Sequence, residues 1–138
     1  MMYPRVGVAV IVRNDNDYIL LGLRIGSHGS GTWAPPGGHL EFGETIITCA
    51  HRELAEETDL LLYDPVLCGL TEDMFENPAK HYVTIFVQGK YAGNLINKEP
   101  HRCETWDWFS MHALPKPLFL PFQQFISQSP IEFSQKFL

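Results

Sequence analysis

Apolar runs separated by polar turns dominate the first part of the chain. Residues 4–13 (PRVGVAVIVR) are rich in valine and isoleucine, which is typical of a strand buried on both faces. Residues 14–17 (NDND) predict a turn, because short polar side chains hydrogen-bond their own backbone and tolerate positive φ. Residues 18–24 (YILLGLR) then predict the returning strand of a hairpin.

The hydrophobic period changes in the segment 44–58, which predicts a helix. Ile47, Ala50 and Leu54 recur there at three- and four-residue steps, and this spacing places them on one stripe that faces a core. Asp59 marks the predicted end of the helix.

The remaining segments predict loops, three further strands and a second helix. They are a flexible loop at 26–31, a rigid proline- and glycine-rich turn at 33–38, strands near 64–73, 81–91 and 104–109, a turn at 76–79, and a helix near 118–128. Strands outnumber helices and do not alternate regularly with them, which favours an α+β or α/β/α sandwich over a repeat of parallel strand–helix units. No repeat or linker interrupts the chain, so we expect residues 1–138 to form a single domain.

Composition and charge narrow the range of functions. Apolar residues make up 45% of the 138-residue chain and charged residues 19%, which is typical of a globular protein rather than a disordered one. The net charge of −6 argues against a partner such as a nucleic acid polymer, whereas a small anionic substrate is compatible if a cation screens it. Cys49, Cys68 and Cys103 are odd in number and widely spaced, which favours a reducing compartment over a disulfide framework or a zinc site.

The apolar run Val6–Val12 is the strongest hydrophobic segment near the N-terminus. It is far shorter than a membrane span of about 20 residues. It also lacks the basic and small-residue flanks of a signal peptide. We therefore expect a cytoplasmic protein with no membrane partner.

Three carboxylates of the predicted helix lie at i, i+3 and i+4. Glu53, Glu56 and Glu57 therefore share one face within about one turn, where like charges repel each other. Mg²⁺ prefers carboxylate oxygens and completes its coordination with waters and substrate phosphates, so the cluster is a candidate metal site. The alternative is a solvated acidic face, with Arg52 paired to Glu56.

The segment that precedes and includes this cluster resembles the Nudix box. Gly38, five residues, Glu44, seven residues and then 52–60 (RELAEETDL) match G-x5-E-x7-R-E-U-x-E-E-x-G-U, where U is a bulky apolar residue. Asp59 stands where the family has glycine, and aspartate tolerates a left-handed backbone better than most residues, so we expect only a small structural cost. The resemblance implies the Nudix fold, an α+β arrangement with a mixed β-sheet sandwiched between helices.

The resemblance also implies roles for the residues of the box. Its metal ligands correspond to Glu53, Glu56 and Glu57. The backbone of Gly37 and Gly38 would approach the substrate, with a carbonyl, that of Gly38 above all, as a further ligand. Arg52 and Glu44 would orient the glutamates through a salt bridge. Mg²⁺, or Mn²⁺ as a substitute, would neutralise phosphate oxygens and activate a water for in-line attack on phosphorus.

Many members of the family use one more acid, from a loop beyond the box, as a base or metal ligand. Glu104 occupies the equivalent position near the last predicted strand, and its alternative role is that of a surface residue in a turn. Glu72, Asp73 and Glu76 are rivals in another loop.

Further segments are similar to the MutT-like branch of the family, and within it to nucleotide triphosphate diphosphatases that hydrolyse thiopurine nucleotides. They are Gly22-x-Arg24-x-Gly26-Ser27, 36–44 (PGGHLEFGE), 81–85 (HYVTI) and Glu104-x-Trp106-x-Trp108. The likeness implies hydrolysis of (d)NTPs, including modified ones, to a nucleoside monophosphate and pyrophosphate by a homodimer.

The same likeness implies residues that would hold the substrate. Arg24 would contact phosphates and Thr84 would line the nucleoside pocket. The residues that would help to pack the base are Phe119, Leu120 and Pro121. The alternatives are a surface cation for Arg24, strand packing for Thr84, and core packing for the aromatic cluster.

Two other functions stay open at this point. One is a Nudix enzyme that acts on a nucleoside diphosphate derivative such as ADP-ribose. The other is a catalytically silent domain that senses a nucleotide, which is disfavoured because Arg52 and all the carboxylates of the box are present.

Overall fold

Two β-sheets and two helices build the protein, as seen in a computed structural model that describes residues 2–26, 28–76 and 79–128. The strands are β1 (Arg5–Val12), β2 (Ile19–Arg24), β3 (Trp33–Ala34), β4 (Gly37–His39), β5 (Leu61–Phe75), β6 (Lys80–Ala92) and β7 (Cys103–Phe109), and the helices are α1 (Ile46–Thr58) and α2 (Leu120–Gln128). Ser27, in one of the motifs above, and Asn77 and Pro78, in the predicted turn at 76–79, lie outside the described residues.

The larger sheet is mixed and lies between the two helices, as expected. Its strand order is β4-β1-β6-β5, with β1 parallel to β6 and the other pairs antiparallel. Alternate residues of β1 point to opposite faces, so Val8 and Val10 pack with the α1 residue Leu54, whereas Ala9 and Ile11 pack on the side of α2. The prediction that β1 is buried on both faces is confirmed.

The predicted hairpin of the first two strands is wrong. β2 belongs to a second sheet of order β3-β2-β7, and the only pairing of the two segments in the described chain is an isolated bridge between Arg13 and Ile19. Both edges of β1 are already taken by β4 and β6, so β2 has no edge of β1 to join. The turn itself is confirmed, because Asn14 Oδ1 accepts two backbone N–H bonds and Asp17 has φ 65°.

The segment predicted as a rigid turn at 33–38 contains two short strands. β4 runs antiparallel to β1, with Gly38 opposite Val8. A side chain at Gly37 would overlap the carbonyl oxygen of Val8, so only glycine allows the two backbones to approach this closely. Hydrophobic alternation cannot reveal β4, because two of its three residues are glycines and the third is His39.

Helix α1 begins and ends with specific caps. Thr45 is the N-cap, and its hydroxyl accepts from the backbone N–H of Thr48 at 3.1 Å. Asp59 ends the helix with φ 64° and donates its N–H to Ala55, which confirms that aspartate occupies the left-handed position. The predicted core stripe is buried or half-buried, and Cys49 adds to it.

The strands and the second helix after α1 lie close to their predicted positions. β5 is longer than predicted and forms the edge of the mixed sheet, with bulges between Tyr63 and Val66 and between Leu67 and Gly69. α2 buries Phe125 against the same sheet. The ring of Phe125 stacks on that of Phe86 in β6, with 4.1 Å between the two ring centroids. The three cysteines are buried and form no disulfide within the described residues. No described helix is long and apolar enough to cross a membrane.

Candidate active site

Residues of both sheets and both helices surround one cavity of about 840 Å³. One part, here called the acidic end, contains Glu53, Glu56, Glu57 and Glu99. Another part, the aromatic end, contains His28, Phe75, Tyr82 and Phe119. Basic side chains also line the cavity, namely Arg5, Arg24, Arg52, Lys80 and Arg102, which are five of the ten lysines and arginines in the sequence.

Arg52 organises the acidic end through several carboxylates at once. Its Nε and Nη2 donate to the two oxygens of Glu44 at 2.7 and 3.0 Å, so the guanidinium binds this carboxylate in a bidentate manner. Its Nη1 donates to Glu53 at 2.7 Å and to Glu56 at 3.3 Å. The predicted salt bridge with Glu44 and the alternative pair with Glu56 are therefore both present, and Arg52 fixes the orientation of the glutamates.

Two neighbouring glycines bring the backbone of β4 against the carboxylates of α1. The N–H of Gly37 donates to Glu57 Oε1 at 2.7 Å. A side chain at Gly38 would overlap the carboxylate of Glu53. The structure thus brings Gly37, Gly38, Glu53 and Glu57 together, as the sequence predicts.

The carboxylates of the acidic end differ strongly in their pKa. Hydrogen bonds from Arg52 lower the pKa of Glu44 to about 2. Burial raises the pKa of Glu57 to about 8, opposed by the N–H of Gly37 and reinforced by the charges of Glu53 and Glu99. Burial also raises the pKa of Glu53, although Arg52 opposes that shift. Arg52 binds Glu44 and Glu53 but not Glu57, and the charge of Arg24 opposes the raised pKa of Glu57 only in part.

This donor set fits a hard divalent cation. The charge of Glu53 raises the pKa of Glu57, and the charges of Glu56 and Glu99 raise that of Glu53, so an added cation would stabilise both carboxylates in their ionised form. Within the described ranges, no group of three His, Cys, Asp or Glu already surrounds one point. An open arrangement of this kind suits Mg²⁺, which keeps waters and takes substrate phosphates as its other ligands.

Arg24 lies between the two ends of the cavity. Its guanidinium stands 4.3 Å from the ring centroid of Phe119, and its Nε donates to the backbone oxygen of His28 at 3.0 Å. Burial lowers its pKa, while the charge of Glu57 opposes that shift. Arg24 is therefore a partly buried cation inside the cavity rather than a surface cation.

The predicted base-packing residues are placed differently from one another. Thr84 is buried and lines the cavity beside Gly7. Phe119 and Pro121 also line it, whereas Leu120 is half-buried and is not among the lining residues.

The structure does not bring Glu104 into the cavity. Cys103 is buried and lines it, so Glu104, the next residue of β7, is turned to the opposite side and is exposed. Glu72 and Glu76 are exposed as well, and the buried Asp73 accepts from Thr71 at 2.7 Å without lining the cavity.

Glu99 is the acid that sequence reasoning missed. It lines the cavity, and its charge raises the pKa of both Glu53 and Glu57. Its backbone oxygen accepts from the N–H groups of Arg102 and Cys103, so a turn just before β7 holds it in place. A residue in an irregular segment gives no periodic signal, and its spacing from the helix reveals nothing about their contact.

Comparisons with known proteins agree with this geometry. The sequence profile of the NUDIX domain matches residues 3–128. The chain is 33% identical over 119 residues to an ADP-ribose pyrophosphatase of Methanocaldococcus jannaschii, covering 86% of this chain and 69% of that protein. It is 37% identical over 92 residues to the m7GpppN-mRNA hydrolase NUDT17 of Xenopus laevis, covering 59% of this chain and only 31% of that longer protein.

A solved structure supports the same relationship. The MutT NUDIX hydrolase from Burkholderia pseudomallei superposes with a TM-score of 0.79 at 29% identity, covering 84% of this chain and 90% of that one.

Proposed function

Since this chain belongs to the Nudix family of hydrolases, in its MutT-like branch, we propose that it hydrolyses nucleoside triphosphates to a nucleoside monophosphate and pyrophosphate. One relative is named as an ADP-ribose pyrophosphatase and a solved neighbour as a MutT NUDIX hydrolase, and we infer that this chain is likewise an enzyme that hydrolyses a phosphoanhydride bond. We also propose that residues 1–138 form one Nudix domain and that the partner is a small nucleotide.

The observation that carries this proposal is the collection of cations in an acidic protein. Arg52 is already bound by Glu44, Glu53 and Glu56. Among the described residues, the other four basic side chains of the cavity form no ion pair with a carboxylate of the acidic end. A triphosphate carries more negative charge than a bridging diphosphate, so it gains more from four cations in addition to a metal.

The proposed cofactor is Mg²⁺, with Mn²⁺ as a substitute. The residues that would hold it are Glu53, Glu56, Glu57 and the carbonyl of Gly38. When bound, such an ion neutralises phosphate oxygens and activates water. The chain's own part is positional, because Arg52 and Glu44 hold the glutamates and Arg24 lies where a phosphate would pass between the two ends.

We assign the additional acid to Glu99 in place of Glu104. Glu99 faces the same part of the cavity as Glu53 and Glu57, whereas Glu104 is exposed outside it. Proton transfer requires a group within hydrogen-bond reach, directly or through one water, and only a residue that lines the cavity meets that condition.

The second candidate substrate is ADP-ribose. The Methanocaldococcus jannaschii relative named above is an ADP-ribose pyrophosphatase, and its similarity extends over most of this chain. The same acidic end would act on the single phosphoanhydride bond of that substrate.

One product assay separates these functions. The protein is incubated with Mg²⁺ and, separately, with dNTPs, ADP-ribose and an m7GpppN cap analogue, and the products are resolved by ion-exchange chromatography. Pyrophosphate from dNTPs supports the proposal, whereas AMP and ribose phosphate from ADP-ribose support the second candidate. Binding without turnover of any substrate would contradict both and indicate a sensing domain. Glu57→Gln is the matched control for contaminating activity, because it keeps the shape and removes the charge.

A further inference from the structure

The aromatic end of the cavity is built around an imidazole ring. The centroid of the His28 ring lies 4.3 Å from that of Phe75 and 5.6 Å from those of Tyr82 and Phe119. The rings of Phe75 and Phe119 also stack on each other, with 6.1 Å between their centroids. Three aromatic rings therefore pack around His28 in the free protein.

One nitrogen of this imidazole is buried without a partner. Nε2 of His28 is covered from solvent and makes no hydrogen bond to any described residue. Buried polar groups in folded proteins are almost always paired, and leaving one unpaired costs free energy. An unpaired nitrogen in the wall of a ligand cavity indicates an atom that a ligand can satisfy.

The loop that carries His28 is built to keep the ring at this place. Arg24 donates from Nε to the backbone oxygen of His28. The next residue, Gly29, has φ 69°, and a Cβ there would lie 2.6 Å from the ring of Phe119. Only glycine lets the backbone come this close to Phe119, so Arg24, His28 and Phe119 pack as one unit.

The order of groups along the cavity places a base near this ring. The phosphates belong at the acidic end, where a cation can meet them. Arg24 touches Phe119 and is attracted by Glu57, so it lies between the two ends. A nucleotide with its phosphates at the acidic end therefore reaches the aromatic end with its base.

The charge state of His28 suits the recognition of a neutral base. Burial, together with the charges of Lys80 and Arg24, lowers the pKa of His28 to about 4. The ring is therefore neutral at pH 7, and its two tautomers present Nε2 either as a donor or as an acceptor. A neutral imidazole serves an amino group and a carbonyl group on a base equally well.

Resting on the proposed function, we propose that His28 is a specificity-determining residue whose Nε2 hydrogen-bonds the substituted edge of the nucleobase. Because Nε2 is covered from solvent and has no partner among the described residues, a hydrogen bond to a ligand would satisfy a group that is otherwise unpaired. A base that lacks an amino or carbonyl group cannot make this bond and binds more weakly. Because packed rings cover Nε2 in the free protein, binding must shift the imidazole.

A binding cycle tests this assignment without turnover. Titration calorimetry measures Kd for two triphosphates with a methylene bridge in place of the reacting oxygen, one with adenine and one with unsubstituted purine. The proteins are the wild type, His28→Phe, His28→Gln and the control His112→Phe, which changes an exposed histidine outside the cavity. His28→Phe keeps a ring among the three aromatic residues and removes the nitrogen, whereas His28→Gln keeps the capacity to hydrogen-bond.

We expect the wild type and His112→Phe to bind the adenine analogue about tenfold more tightly than the unsubstituted one. His28→Phe should bring this ratio close to one, and His28→Gln should restore part of it. In nuclear magnetic resonance spectra, the imidazole signals of His28 should shift more with the adenine analogue than with the purine analogue.

Equal ratios in the wild type and His28→Phe would overturn the assignment, as would His28 signals that respond identically to both analogues. If the analogues bind with the expected ratio but no triphosphate is hydrolysed, the proposed function fails and the assignment stands. If neither analogue binds to the wild type, both fail.

Discussion

Among the carboxylates of the acidic end, Glu57 has the pKa that burial raises to about 8. Its pKa of about 8 follows from that burial, because only the N–H of Gly37 supports the charge directly. We expect Glu57→Gln to lower kcat by at least about 100-fold, since even residues that support a metal ligand change activity by 10- to 100-fold. Steady-state kinetics with Mg²⁺ measures this effect, and turnover like that of the wild type would remove Glu57 from the mechanism.

The same carboxylate makes the stability of the metal-free protein depend on pH. Its folded pKa of about 8 is higher than the ordinary value of 4.5, so between these values the unfolded chain releases a proton that the folded chain keeps. Stability is therefore lost as pH rises from about 4.5 to 8, by up to roughly 4 kcal/mol. Urea unfolding at pH 5 and pH 8, with a chelator present, should show a much larger loss in the wild type than in Glu57→Gln, where only the smaller contribution of Glu53 stays. An equal pH response in both proteins would contradict it.

At the scale of residues, the sequence predicts the acidic end well. Glu53, Glu56, Glu57 and Arg52 lie within six positions on one helix, so local geometry alone brings them together. Glu104 lies outside the cavity for an equally simple reason: side chains alternate along β7, and that of Glu104 points to the exposed side of the strand. The spacing of residues along the chain does not show which side of the strand faces the cavity until the pairing of the strand is known.

At the scale of elements, the predicted helix is correct and its end depends on a single backbone conformation. Asp59 has φ 64°, which is unfavourable for any residue with a Cβ, although less so for aspartate. We expect Asp59→Gly to raise the free energy of unfolding by about 0.5–1 kcal/mol, because glycine adopts this conformation freely. The lost ion pair with Lys98, at 3.5 Å and exposed, opposes this gain only slightly. Thermal unfolding measures the effect, and a lower Tm in Asp59→Gly would show that the aspartate side chain stabilises the cap more than the backbone costs.

The elements that the sequence misses are those specified by contacts with other elements. β4 contains two glycines and becomes a strand only because the edge of β1 is there to receive it. The hairpin prediction fails because β1 pairs on both edges with strands that are distant in sequence, and β6 follows it by about seventy residues. The local sequence predicts the turn correctly, but it does not show that β1 and β2 belong to different sheets.

At the scale of the whole molecule, the aromatic end shows what the sequence cannot supply. His28, Phe75, Tyr82 and Phe119 come from three different strands or loops and the approach to α2, and only the complete topology brings them together. By contrast, the resemblance to the Nudix box does predict the fold, because the residues of the box set the position of one helix and one loop relative to the sheet.

The outer edge of β5 predicts how two copies of the molecule meet. No described residue pairs with this edge, and β5 carries six of the exposed large apolar side chains, namely Leu61, Tyr63, Val66, Leu67, Leu70 and Met74. A long apolar edge strand is a template for another strand. Antiparallel pairing with a second copy, centred on Leu70, would keep the two Glu72 carboxylates apart.

We therefore expect Leu70→Lys to shift the protein toward the monomer. Ile96→Lys, at an equally exposed apolar residue outside β5, should leave the association unchanged. Light scattering after size-exclusion chromatography, over a range of concentrations, measures the mass. A wild type that remains a monomer at every concentration, or equal masses for both variants, would contradict this prediction.

The central strand β1 has a consequence for how this enzyme can change. Val10 packs in the cluster that contains Leu54 of α1, the helix that carries Glu53 and Glu57, whereas Ile11, its immediate neighbour in sequence, packs in the cluster beneath α2. We therefore expect a change of size at Val10 to disturb the helix of the acidic end first, and a change of size at Ile11 to disturb the packing of α2 first.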